Sequence, residues 1–122
     1  MRTLVLSFVT ILGLLAWLGP AAAGSIYDPP IEGHLALTPD QRPHVDRILS
    51  QGRSQVLAVF HAHGIDPNGP PVFSQLVQAS PELLAIARHQ RRELRKVLGP
   101  DQLAEYNRIM TETRTRIRAA AQ

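Results

Sequence analysis

The sequence predicts an all-α protein, a small helical hairpin or bundle of three long helices and one short helix, behind an N-terminal signal peptide. Three observations predict it. Apolar residues recur three and four apart instead of alternating, which is the period of one buried helix face. Helix-start signals of nearly the same form stand at Leu37-Thr38-Pro39-Asp40-Gln41 and Leu98-Gly99-Pro100-Asp101-Gln102. Cysteine is absent, so stability has to come from packed helix faces or self-association, and a homodimer is an expected assembly.

Residues 1–23 carry one charge, Arg2, ahead of an apolar run from Leu4 to Leu18; Pro20 then ends the run, and Ala21, Ala22 and Ala23 offer the small side chains a signal peptidase accepts. Cleavage before Gly24 and a periplasmic location are the expectation. Retention of the segment as a membrane anchor is the alternative, since its length nearly suffices to span a bilayer. Residues 24–36, with Pro29, Pro30 and Gly33 and no sustained period, read as a flexible leader.

Residues 37–122 form the expected helical domain. Thr38 is placed to cap the first helix, Pro39 suits its first position and Gln41 completes a capping box. Val45, Ile48, Leu49, Val56 and Phe60 make its buried stripe, with Pro43 and Gly52 as weak points where a bend is expected. Gly64 supplies a C-terminal cap, and Asp66-Pro67-Asn68-Gly69-Pro70-Pro71 is turn chemistry. Residues 72–79 read as a short helix, after which Ser80 caps a new one over 82–98. In that helix Leu83, Ile86, Ala87, Leu94 and Val97 share one face, while Arg88, Arg91, Arg92, Arg95 and Lys96 populate another. The last helix follows Gly99 and spaces Leu103, Tyr106, Met110, Thr113, Ile117 and Ala120 as a heptad-like stripe that calls for a partner helix.

Some function classes are disfavoured at this point. A net charge of +3 and an aromatic content of 5% argue against a nucleic-acid partner. No nucleophile elbow, Gly-rich phosphate loop, HExxH run or Glu-x-x-His pair is present, so binding is expected and catalysis is not; no catalytic residue and no cofactor is assigned. His61 and His63 are the candidate ligands of an alternative metal-responsive reading. Residues two apart on a helix point nearly opposite ways, so they share an ion only if the helix end unwinds beside Gly64.

The two Leu-Thr/Gly-Pro-Asp-Gln segments, each opening a helix behind a signal-like leader, resemble the Spy/CpxP-like family of periplasmic LTxxQ-motif proteins. Leu37, Thr38 and Gln41 match the motif, with Pro39 inside it; Leu98, Pro100 and Gln102 repeat the pattern with Gly99 in place of Thr, and Tyr106 follows where similar proteins often place an aromatic residue. The resemblance covers most of the chain from Leu37 onward. It implies a small helical envelope protein, often a thin curved dimer, associated with stress response and acting as an ATP-independent chaperone for unfolded or partly folded envelope proteins. It also admits a metal-sensing relative or an adaptor of an inner-membrane sensor. On this reading Arg88, Arg91, Arg92, Arg95 and Lys96 are the candidate client-binding residues, their stems covering apolar segments while the guanidinium groups meet acidic side chains. Capping gives the motif residues a structural role of their own, and an up-and-down arrangement would let Gln41 and Gln102 bridge two helix ends.

Overall fold

The structure, a computed structural model, describes residues 26–31 and 33–122. The signal segment and its cleavage point before Gly24 lie outside the described residues. The described residues form three helices, α1 (Arg42–Ala62, 21 residues), α2 (Phe73–Arg95, 23 residues) and α3 (Pro100–Ala121, 22 residues), and no strand. No helix among them is long and apolar enough to cross a membrane.

The start of α1 shows how two prolines shift a helix boundary. Thr38 N–H donates to Gln41 Oε1 at 3.0 Å and Gln41 N–H to Thr38 Oγ1 at 3.2 Å, the reciprocal pair of a capping box. Arg42 N–H already bonds the Thr38 carbonyl at 3.1 Å. Pro43 has no N–H for the Pro39 carbonyl, so the ladder is interrupted and regular helix begins only at Arg42. At the other end Gly64 takes φ +69°, Gly64 N–H bonds the His61 carbonyl and Ile65 N–H the Phe60 carbonyl at 2.8 Å. This is a Schellman ending, and Ile65 packs in one cluster with Phe60 as that motif requires.

A separate short helix over 72–79 does not exist. α2 runs unbroken through Pro81, and Ser80 is an exposed residue inside it instead of a cap. Proline in a helix interior costs about 3 kcal/mol or more in lost hydrogen bonding and steric conflict. Burial outweighs it here: Leu76, Ala79 and Leu83 lie on one face straddling the proline and pack with Phe60 and Ile65, and Ala79 is fully buried. An interrupted helix would take one side of that face out of contact.

α1 and α2 pair antiparallel along their length. The larger core cluster, near the start of α1 and the end of α2, joins Val45, Ile48, Leu49, Leu94 and Leu98 to Tyr106 and Ile109 of α3. The smaller one surrounds Phe60, Ile65 and Ala79 at the turn. Gly52, expected as a weak point, is buried in unbroken helix: a Cβ there would stand 1.8 Å from Gln90 Oε1, so the bare backbone makes room for the Gln90 side chain. Gln90 Nε2 in turn donates to the Tyr106 hydroxyl at 2.6 Å. One residue from each helix thus meets at this crossing.

In the segment expected to be a flexible leader, the described residues 26–31 and 33–36 form a packed strap. Ile31 and Leu35 are buried members of the larger core, Tyr27 stacks edge-on against Phe60 with ring centroids 4.7 Å apart, and Asp28 lies 3.8 Å from Arg53. Burial raises the Asp28 carboxyl above its ordinary range and outweighs the opposing pull of Arg53, so this ion pair is a loose one. On the α3 side, Arg116 Nη2 reaches the Ile26 carbonyl at 3.5 Å and Gln102 Nε2 the Ala36 carbonyl at 2.7 Å. The strap therefore runs between α1 and α3, whose Cα atoms nowhere come within 8 Å of each other.

Candidate functional site

The two motif copies meet. Gln41 Nε2 donates to Gln102 Oε1 at 2.8 Å and Gln102 Nε2 to Gln41 Oε1 at 2.9 Å, a reciprocal amide pair linking the starts of α1 and α3. Each amide also serves its own helix start and one further chain segment. Gln41 Oε1 accepts from Thr38 N–H and Gln102 Oε1 from Gly99 N–H at 2.8 Å, while Gln41 Nε2 donates to the Val97 carbonyl at 2.9 Å and Gln102 Nε2 to Ala36. Both primary amides thereby use two donors and two acceptor sites. Gly99 has no side chain to return the bond, so the second capping box is half complete. Leu98 and Tyr106 are buried, Leu37 is half-buried against the same core, and Pro39 and Pro100 are exposed at the two helix starts. Nothing in this clasp opens to a ligand: its chemistry is spent on holding the helices together.

Beside the clasp α2 and α3 approach over a short stretch only. A groove of roughly 460 Å³ lies between them, with Leu84, Ala87 and Met110 among its apolar lining residues and Arg88, Arg91 and Arg114 among its charged ones. None of these three guanidinium groups pairs with a carboxylate among the described residues. Arg108, one turn away, is different: Glu105 and Glu112 hold it by hydrogen bonds that raise its pKa and cancel its charge. The groove thus keeps three uncompensated positive charges next to apolar surface, a combination suited to segments carrying both carboxylates and apolar side chains.

Of the five basic residues expected to share a face, Arg88 and Arg91 line the groove; Arg92, Arg95 and Lys96 are exposed outside its lining, and Lys96 bonds Glu93 at 2.9 Å. Sequence reading missed Arg114 and Met110 as site residues. A signal was present, since Met110 belongs to the α3 stripe and Arg114 follows one helical turn later, but which edge of that stripe faces α2 depends on packing. Exposed apolar residues extend the α2 side: Leu84 is 46%, Val77 53% and Phe73 54% exposed.

The histidines do not converge. His63 Nε2 lies 2.6 Å from Glu82 Oε1, bridging the end of α1 to α2, and His61 is exposed. No group of three or more His, Asp or Glu among the described residues is placed to hold a metal ion.

In comparisons with known proteins, no family model, curated sequence or solved structure matches the chain. The class defined by the structure is a small all-α protein whose helices are clasped at one end and carry an open basic groove beside the clasp.

Proposed function

We propose that this protein is a periplasmic chaperone-like or envelope-stress factor that binds unfolded or partly folded envelope proteins without ATP and without catalysis, using the groove between α2 and α3. The observation that carries this reading is the juxtaposition of Leu84, Ala87 and Met110 with Arg88, Arg91 and Arg114, none of which pairs with a carboxylate among the described residues. An unfolded segment presents alternating apolar and acidic groups in no fixed geometry. A shallow surface with both kinds of partner holds many such segments weakly, and it needs no shaped pocket. The resemblance to LTxxQ-motif proteins and the signal-like residues 1–23 support the cellular setting.

Attraction through exposed guanidinium groups is screened at physiological salt, where the Debye length is about 8 Å. Purified protein is therefore expected to suppress aggregation of a chemically unfolded acidic test protein most strongly at low salt. Charge reversal of the groove, Arg88→Glu with Arg91→Glu and Arg114→Glu, should remove most of that effect with helix content unchanged. Absence of suppression by the parent at low and moderate salt, or equal suppression by the reversed variant, would refute the reading.

A further inference from the structure

Both walls of the groove between α2 and α3 are helix faces. α2 contributes Leu84, Ala87, Arg88 and Arg91. α3 contributes Asn107, Met110, Thr111 and Arg114, so each wall follows the i, i+3, i+4, i+7 spacing of a single helix face. That spacing makes each wall about 10 Å long, two helical turns. All of these residues lie inside their helices, where backbone N–H and C=O groups are committed to the helix ladder, and the lining offers no strand edge for an incoming chain to pair with. Of the polar side chains, the Tyr106 hydroxyl already accepts a bond from Gln90 at 2.6 Å and Thr111 Oγ1 one from Arg114 at 3.3 Å. An extended segment lying along the groove would bring only about three residues into it. It would also set its own N–H and C=O groups against Leu84, Ala87 and Met110 without partners, which is costly for buried polar groups. A helical segment satisfies its backbone internally and brings two turns of side chains over the same length.

We propose that the groove selects acidic amphipathic helices: the preferred client segment docks as a further helix, its apolar stripe on Leu84, Ala87 and Met110, with carboxylates on the two flanks of that stripe meeting Arg88 and Arg91 on one wall and Arg114 on the other. Charge complementarity carries the choice of occupant. The guanidinium groups stand on both walls, and none pairs with a carboxylate among the described residues, so a helix without acidic flanks would leave them beside apolar surface with no counter-charge. Leu84, 46% exposed, offers apolar area that the fold itself leaves uncovered. At roughly 460 Å³ the groove takes the side chains of one helix face and leaves the opposite face in water, the arrangement in which amphipathic helices are read through anchors at i, i+3, i+4 and i+7. This inference rests on the reading that the groove is the client site, and it narrows the clients from unfolded segments at large to those that hold or take up helix.

The probe is a fluorescently labelled peptide of about fourteen residues, near the length at which isolated helices become stable, with leucine along one helical stripe and glutamate on both flanks. Anisotropy titrations against the purified protein compare it with the same stripe flanked by lysine, the same stripe flanked by glutamine, and the same residues rearranged so that leucine and glutamate alternate. The glutamate helix should bind about tenfold more tightly than the glutamine version, the size that three exposed ion pairs together supply, and more tightly still than the lysine version. It should also bind more tightly than the alternating peptide and gain helical circular dichroism on binding. Arg88→Glu with Arg91→Glu and Arg114→Glu, all at exposed positions, should reverse the order of the glutamate and lysine peptides. If that variant loses helix content, Arg88→Gln with Arg91→Gln should weaken glutamate binding by a smaller factor. An alternating peptide bound equally well, no helix gained, or a charge-reversed variant that keeps the original order each overturns the proposal. So does a protein that binds the peptide only after dissociating from a second copy of itself, or one that prefers vesicles of anionic phospholipid to the peptide. Suppression of aggregation that persists while all the peptides bind alike removes the helix preference alone, whereas absence of suppression by the parent removes the client reading beneath it.

Discussion

The two ends of the molecule are held in different ways. At the clasp end the starts of α1 and α3, the end of α2 and the strap converge, and a reciprocal Gln41 and Gln102 pair with four further bonds from the same amides ties them together over the larger core. At the turn end α1 and α2 are joined by a Schellman ending and a small cluster around Phe60, Ile65 and Ala79, with Phe73 and Val77 left exposed. One end is specified by directional bonds that only one arrangement satisfies. The other is specified by apolar burial and one left-handed glycine, with the single His63–Glu82 contact bridging α1 to α2. The groove opens where α2 and α3 approach over a short stretch only.

That contrast can be broken most forcefully at the clasp-end core. Leu94 is fully buried among residues of all three helices, and Leu94→Ala should cost about 3 kcal/mol, within the range for buried leucine truncations. Chemical denaturation would read this as a lowered midpoint, with amide protection lost first in the first turns of α3. A cost under about 1 kcal/mol would mean that α3 does not depend on this core.

Gln102→Ala comes next. It removes four hydrogen bonds at once and leaves Gly99 N–H and the Ala36 carbonyl without their partner; at roughly 0.5–1 kcal/mol for each bond, the expected cost is about 2–4 kcal/mol. Gln41→Ala should cost nearly the same, and the double variant much less than the sum, because the two amides share a bond pair. Additive effects in the double-mutant cycle would show that the clasp is not one unit.

At the turn end, Gly64→Ala places a Cβ at φ +69° and should cost about 1 kcal/mol, with faster amide exchange confined to the junction of α1 and the loop. The smallest effect has the opposite sign. Gly99 sits at φ −74°, ψ 170° with ordinary space for a Cβ, so Gly99→Ser completes the missing half of the second capping box and should add about 0.5 kcal/mol. A thermal midpoint unchanged by the introduced hydroxyl would show that Gln102 alone suffices at this helix start.

How much of this was legible in the sequence follows the range of the interactions. Local signals reported correctly: Thr38 with Gln41, the Gly64 ending and the helical period all act within a few residues, and their geometry is set by backbone stereochemistry before any packing. Signals that were real but outvoted misled. Ser80-Pro81 has the form of a helix start, yet the burial of Leu76, Ala79 and Leu83 on both sides of it carries α2 through. Gly52 has the form of a defect, yet it admits Gln90 to the Tyr106 hydroxyl.

The amino-acid order by itself determined the all-α class, the caps and the stripes, because each depends on side chains less than two helical turns apart. Tertiary structure alone decided that a proline-rich leader becomes a core element, that two glutamines 61 residues apart form one clasp, and that Arg114 joins Arg88 and Arg91 around a groove. Those outcomes depend on which faces compete for the same partner. A helix stripe declares that it will be buried, and only the competition among the neighbours settles what buries it.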